Sequence, residues 1–103
     1  MPTETYKLRE QVFTWDRDKN ISNLEKHGIL FKNAAIVFFD PFATTYNDEK
    51  HSQDEDRFLI VGLDKKHKLL TVCHCFRDDD KVIRIISARK ASKEEAKIYG
   101  GAF

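Results

Sequence analysis

Residues 57–90 read RFLIVGLDKKHKLLTVCHCFRDDDKVIRIISARK, and this stretch decides the fold class. Three apolar runs, residues 57–63, 69–76 and 81–88, are separated by charged turns at residues 64–68 and 77–80. The runs are rich in β-branched and aromatic residues and too short for core helices, so each predicts a strand. Strands joined in sequence by short turns predict an antiparallel meander. Residues 57–63 are apolar on both faces, which predicts a central strand.

Upstream, residues 43–46 keep the two-residue period and predict a further strand, followed by a polar, acidic loop at residues 51–56. Before them the period changes. Phe31, Ala34, Ala35 and Phe38 recur at i, i+3, i+4, i+7, predicting a core-facing helix over residues 31–39 that Asp40-Pro41 stops. Residues 17–27 predict another helix, with Asp16 as N-cap and Gly28 at the left-handed C-terminal position. Residues 12–15 predict a short strand. Downstream, Ser92 and Glu95 have the spacing of a capping box and open a short last helix that stops at Gly100-Gly101. The order β-α-α-β-β-β-β-α predicts the α+β class, a small antiparallel sheet with two N-terminal helices and a short C-terminal one. Residues 1–11 are expected to be a flexible lead-in and residues 12–103 a single domain.

Composition narrows the function classes. The 103 residues are 41% hydrophobic and 34% charged, too apolar for a disordered chain. No run approaches the ~20 apolar residues of a membrane span. The polar start MPTETYKLREQ is not a signal peptide, so no membrane role is expected and the cytoplasm is the default. Cys73 and Cys75 form no zinc half-site and are expected as buried thiols. Four widely spaced histidines, His27, His51, His67 and His74, show no metal spacing, and no metal or cofactor is expected. The net charge of +1 hides an uneven distribution. Residues 40–56 hold six acids against one lysine, and residues 57–99 hold eleven bases against six acids. The C-terminal half can therefore present a basic surface to phosphate, although a solvated face explains the same counts.

The chemistry-bearing residues lie in the strands. His74 shares a face with Leu70, Val72 and Phe76, and Arg84 shares one with Val82 and Ile86. An arginine at such a position needs a partner or a phosphate. A structural ion pair with Glu55 or Glu95 is the plainer explanation of Arg84, and a hydrogen-bonded core histidine that of His74. Arg57, His74, Arg77, Arg84 and Arg89 are expected to line one surface. Metal-free RNA cleavage needs a base for the ribose 2′-OH, cations for the phosphate and an acid for the leaving oxygen. His74 or Glu55 is expected to move protons, with Glu95 and Tyr99 as further candidates, and Arg77 and Arg84 to stabilise the phosphate.

The motifs of the whole chain carry a resemblance. They are F-x-W-D-x-x-K at residues 13–19, N-x-x-K-H-G at 23–28, F-x-x-A-x-x-V-F-x-D-P at 31–41 and His51-Ser52. They continue with E-x-R-F-x-x-x-G at 55–62, H-x-x-R at 74–77 and I-R-I-I-S-A-R-x-A at 83–91, then Glu95 and Tyr99. Together they resemble the BrnT family of bacterial type II toxins over residues 12–99. Leu30 departs from the pattern, where a small polar residue often caps the second helix. The resemblance implies a RelE-like fold and a ribonuclease that blocks translation. It implies neutralisation by a BrnA-like ribbon-helix-helix antitoxin, with operator DNA met only through the complex. Lys19, Asn23, His27, Arg57, His74, Arg77, Arg84, Ser87, Arg89, Glu95 and Tyr99 match the family pattern, while the residues themselves give the expectation that His74, Arg77, Arg84 and Glu55 are catalytic and that Arg57, Arg89, Lys19, Lys26, Ser87 and Tyr99 contact RNA. The alternative is a degenerate, non-catalytic module that binds the same kind of partner.

Overall fold

A computed structural model describes residues 2–101; Met1 of the expected lead-in and residues 102–103 of the expected domain lie outside them. Six strands form one sheet: β1 (Thr3–Leu8), β2 (Gln11–Asp16), β3 (Thr44–Asn47), β4 (Phe58–Leu63), β5 (Leu69–Arg77) and β6 (Val82–Lys90). Their spatial order is β1-β2-β6-β5-β4-β3. The α+β class and the β4-β5-β6 meander stand as the sequence predicts. The sheet is larger than expected and mixed, because β2 runs parallel to β6. β4 is an interior strand between β3 and β5, but the middle of the sheet is β5 and β6.

The flexible lead-in is a correction. Thr3–Leu8 pairs antiparallel with β2 along its whole length. The turn between them places Arg9 and Glu10 at φ 50° and 73°, the left-handed geometry of a two-residue hairpin. Neither residue signals such a turn, so the hairpin is hidden from composition.

Helix α1 (Arg17–His27) begins where Asp16 accepts from the backbone of Asp18 and Lys19, and ends at Gly28, φ 71°, whose N–H donates to Leu24. Residues 31–39 divide into one α turn, α2 (Phe31–Ala34), and a 3-10 turn, Ala35–Phe39. The tighter turn suits a bulky run, Ile36 to Phe39, hemmed in by Pro41. Leu30 supplies no cap to α2, and the Asn20 side chain accepts from Phe31 N–H in its place, at 2.8 Å. Helix α3 (Lys93–Ile98) carries the expected capping box of Ser92 and Glu95.

Phe31, Ala34, Ala35 and Val37 pack on Phe13, Trp15, Ile60, Leu70, Val72, Ile83, Ile85 and Ala88 to form the main core. Full burial of Phe13 and Phe31 contributes roughly 2–3 kcal/mol each. The opposite face carries Val61, Cys73 and Cys75, all buried, beneath α3 and the segment linking β3 to β4.

One irregularity sets which β6 side chains reach which face. Cys73 pairs with Ser87 but His74 pairs with Ile85, leaving Ile86 as a bulge. Alternation alone sends Arg84 and Arg89 to opposite faces. The extra residue reverses the phase, so Arg84, Ser87 and Arg89 stand opposite Cys75, Cys73 and Thr71, all on the face away from the main core.

Candidate functional site

That face carries a band of cations. Arg77 follows Cys75 along β5, and Arg57 enters β4 beside it. Arg77 donates to Glu55 and, at 3.0 Å, to Cys75 Sγ. This hydrogen bond holds the Glu55 carboxyl below its ordinary range. The Arg57 charge also acts on Glu55 and Cys73, and its Nε is enclosed with no acceptor among the described residues. Arg84 is half-buried across from Cys75 and takes part in none of the ion pairs among the described residues. The expected Arg84 pairing with Glu55 or Glu95 is not formed, since those carboxylates hold Arg77 and Arg89.

Arg89 sits at the other end of the band. It makes a two-pronged bond to Glu95, at 2.7 and 2.9 Å. Glu95 also accepts from Thr71, Tyr46 and the Ser92 backbone. Burial works against this carboxylate, but Arg89 and the other donors outweigh it and keep it ionised far below the usual range. Glu95 is thus a structural anchor with no free lone pair to offer a substrate. Tyr46 was invisible in the sequence as a member of this cluster, because nothing in its neighbourhood marks it.

His74 is a correction to the expected site. It lies on the core face, 2% exposed, with ring centroids 4.7 Å from Phe38, 5.5 Å from Phe76 and 6.0 Å from Phe58. Its Nδ1–H donates to Val72 at 3.2 Å, and burial lowers its pKa to about 4. A neutral imidazole closed in by aromatic rings cannot reach a phosphate on the other face. Of the five groups expected on one surface, the four arginines are brought together and His74 is not.

The structure places a different histidine there. His51 stands in the loop between β3 and β4 with its side chain 62% exposed. Its Nδ1 is 3.0 Å from Oδ2 and 3.1 Å from Oδ1 of the buried Asp48, leaving Nε2 as the free ring nitrogen. Ser52 closes the loop, donating to Asp48 O at 2.7 Å and accepting from Arg57 N–H at 2.9 Å. His51, Glu55 and Arg57 line one cleft of about 280 Å³, with Arg77 bound to Glu55 at its side. The Asp–x–x–His spacing was the available signal, but sequence proximity alone gives it little weight.

The remaining predicted contacts scatter. Ser87 is exposed in the middle of the band. Lys19 and Lys26 are exposed one turn either side of Asn23 on α1. Asn23 donates to Ala88 O and accepts from Ala88 N–H, filling the edge of β6 that β2 leaves open and tying α1 to that strand. The Tyr99 hydroxyl donates to Asp40 at 2.6 Å; burial and then this bond raise its pKa to about 12, and it is committed to that corner. Both thiols are held protonated: burial pushes Cys73 up to about 11 and raises Cys75. They are not nucleophiles.

A family model described as "Ribonuclease toxin, BrnT, of type II toxin-antitoxin system" matches residues 15–95. Among solved structures, the 1.1 Å crystal structure of the Brucella abortus ribonuclease toxin BrnT is similar, at 22% identity and a TM-score of 0.58. That likeness covers 77% of this chain and 94% of the Brucella chain, and it concerns the fold. No curated protein matches the sequence.

Proposed function

This chain belongs to the BrnT family of ribonuclease toxins of type II toxin–antitoxin systems, and from that premise we propose that it cleaves RNA on the arginine face of its sheet. The observation that carries the reading is the His51–Asp48 pair opening into the same cleft as Glu55 and Arg57. A carboxylate on one ring nitrogen fixes the tautomer and leaves the other free to meet the substrate. His51 Nε2 then takes the proton of a ribose 2′-OH as it attacks the adjacent phosphorus. Arg57, Arg77 and Arg84 stabilise the charge that builds on the phosphate oxygens. Glu55 positions Arg77, and Arg89, Ser87, Lys19 and Lys26 hold the flanking strand. The leaving 5′-oxygen recovers a proton from the histidinium or from water. Cleavage of messenger RNA in the cytoplasm would block translation. A BrnA-like ribbon-helix-helix antitoxin restrains the enzyme, and operator DNA is met only through that complex.

The test is cleavage of a defined single-stranded RNA in chelator. Wild-type protein cleaves, while His51→Ala and Arg77→Ala lose ~100-fold or more in rate and stay folded. His74→Phe keeps its activity. A His51→Ala protein that cuts at the wild-type rate overturns the assignment. A wild-type protein that binds antitoxin but cuts no RNA favours the non-catalytic module, a reading supported by the ion pairs that already occupy Arg77 and Arg89.

A further inference from the structure

A second cleft, of about 600 Å³, lies at the other end of the sheet, between the β4–β5 turn, the C-terminus of α1 and α3. The strands β4 and β5 separate it from His51 by about 20 Å, the length of a six-residue strand. Its floor is apolar, made by Ile29, Leu69, Leu70 and Ala91. Its rim carries Lys65, Lys66, Lys68 and Lys90, all exposed and none in an ion pair among the described residues. The one carboxylate of the lining, Asp64, is turned to the backbone, accepting from Lys66 and Lys68 N–H at 2.9 Å each. On α1, Ile21 and Leu24 are also exposed, at 51% and 42%.

An apolar floor inside a lysine rim suits a segment with both apolar and acidic side chains. No Phe, Tyr or Trp lines the cleft and His27 is its one ring, too little for a run of stacked bases, so RNA is the poorer fit. We propose that this lysine-rimmed cleft is where the antitoxin docks an acidic, amphipathic segment, which anchors it to the toxin away from the catalytic cleft. The inference rests on the toxin–antitoxin reading above.

Calorimetric titration of the full chain with the full-length antitoxin encoded beside it tests both. Replacing Lys65, Lys66 and Lys68 together by Glu weakens binding by about a hundredfold, most strongly at low salt, and leaves RNA cleavage unchanged. Ala96→Arg, which fills the cleft from α3 without adding negative charge, weakens it by about tenfold. If wild-type chain binds no antitoxin, the toxin–antitoxin reading falls and the docking proposal with it. If wild type binds and both variants bind equally well, the docking site lies elsewhere and only this proposal falls. Loss of RNA affinity with antitoxin affinity intact marks an RNA surface, and lysine-dependent self-association marks a second copy as the occupant; each overturns the proposal.

Discussion

His74 shows how a residue's surroundings replace its usual chemistry. Unfolded, it titrates near 6.5; folded, burial among aromatic rings drops it to about 4. Between those values the unfolded chain binds the extra proton, so stability rises with pH there. It is complete above about 6.5 and is lost as the pH falls toward 4, by roughly 3 kcal/mol in all. Urea unfolding at pH 7 and pH 4.5 will show this loss in wild type and a much smaller one in His74→Phe. Equal losses in the two proteins would place the titration elsewhere. Gly62 is set by space. A Cβ there would lie 2.8 Å from Val37 Cγ1 and 3.2 Å from Val37 O, inside the contact between β4 and the 3-10 turn. Gly62→Ala is expected to cost about 1–3 kcal/mol in thermal or chemical unfolding, and a neutral result would mean the turn can move aside. Sequence showed the glycine, while only the approach of Val37 shows what it is for.

Among the elements, α3 is the one held by charge. It is six residues long, too short to be stable alone. Its attachment is Glu95, which gathers Arg89, Thr71 and Tyr46 from three strands. Glu95→Ala strands the buried Thr71 hydroxyl and the half-buried Tyr46 hydroxyl, and frees Arg89. Unfolding should show a loss of about 2–3 kcal/mol, and exchange of α3 amides should quicken first. Unchanged stability would mean α3 is held by its other contacts, among them the Thr44 hydroxyl donating to Ile98 O at 3.1 Å. The capping box that announces α3 in the sequence hides this second duty, because the same carboxylate serves both. Elements with a local signal were legible: Asp16 and Gly28 bracket α1, and charged turns bracket β5. Elements fixed by a distant partner were not. The hairpin of Thr3–Leu8 depends on β2, and β2 in turn on β6, some seventy residues away.

For the whole molecule, a net charge of +1 conceals a face where four arginines meet. On the proposed RNA-cleaving reading, such a face would bind single-stranded RNA by releasing counterions. For an uncleavable 2′-O-methyl RNA, log K should fall with log salt at a slope of about −3, flattening by about 0.7 for each arginine changed to glutamine. A slope near zero would remove the arginine face from RNA binding. The sequence by itself determined the α+β class, the meander, both helix boundaries of α1 and the family, because these rest on local periodicity, caps and motif spacing. It also supplied the arginines, whose types are plain to read. Tertiary structure alone decided which of them share a face. One bulge at Ile86 reverses the alternation of β6 and carries Arg89 to the side of Arg84. The neighbouring strand keeps its phase, so His74 stays in the core and the loop brings His51 to the arginines instead. Alternation along a strand is a local rule, but an added residue changes its phase, and pairing with the adjacent strand is what shows where that happens.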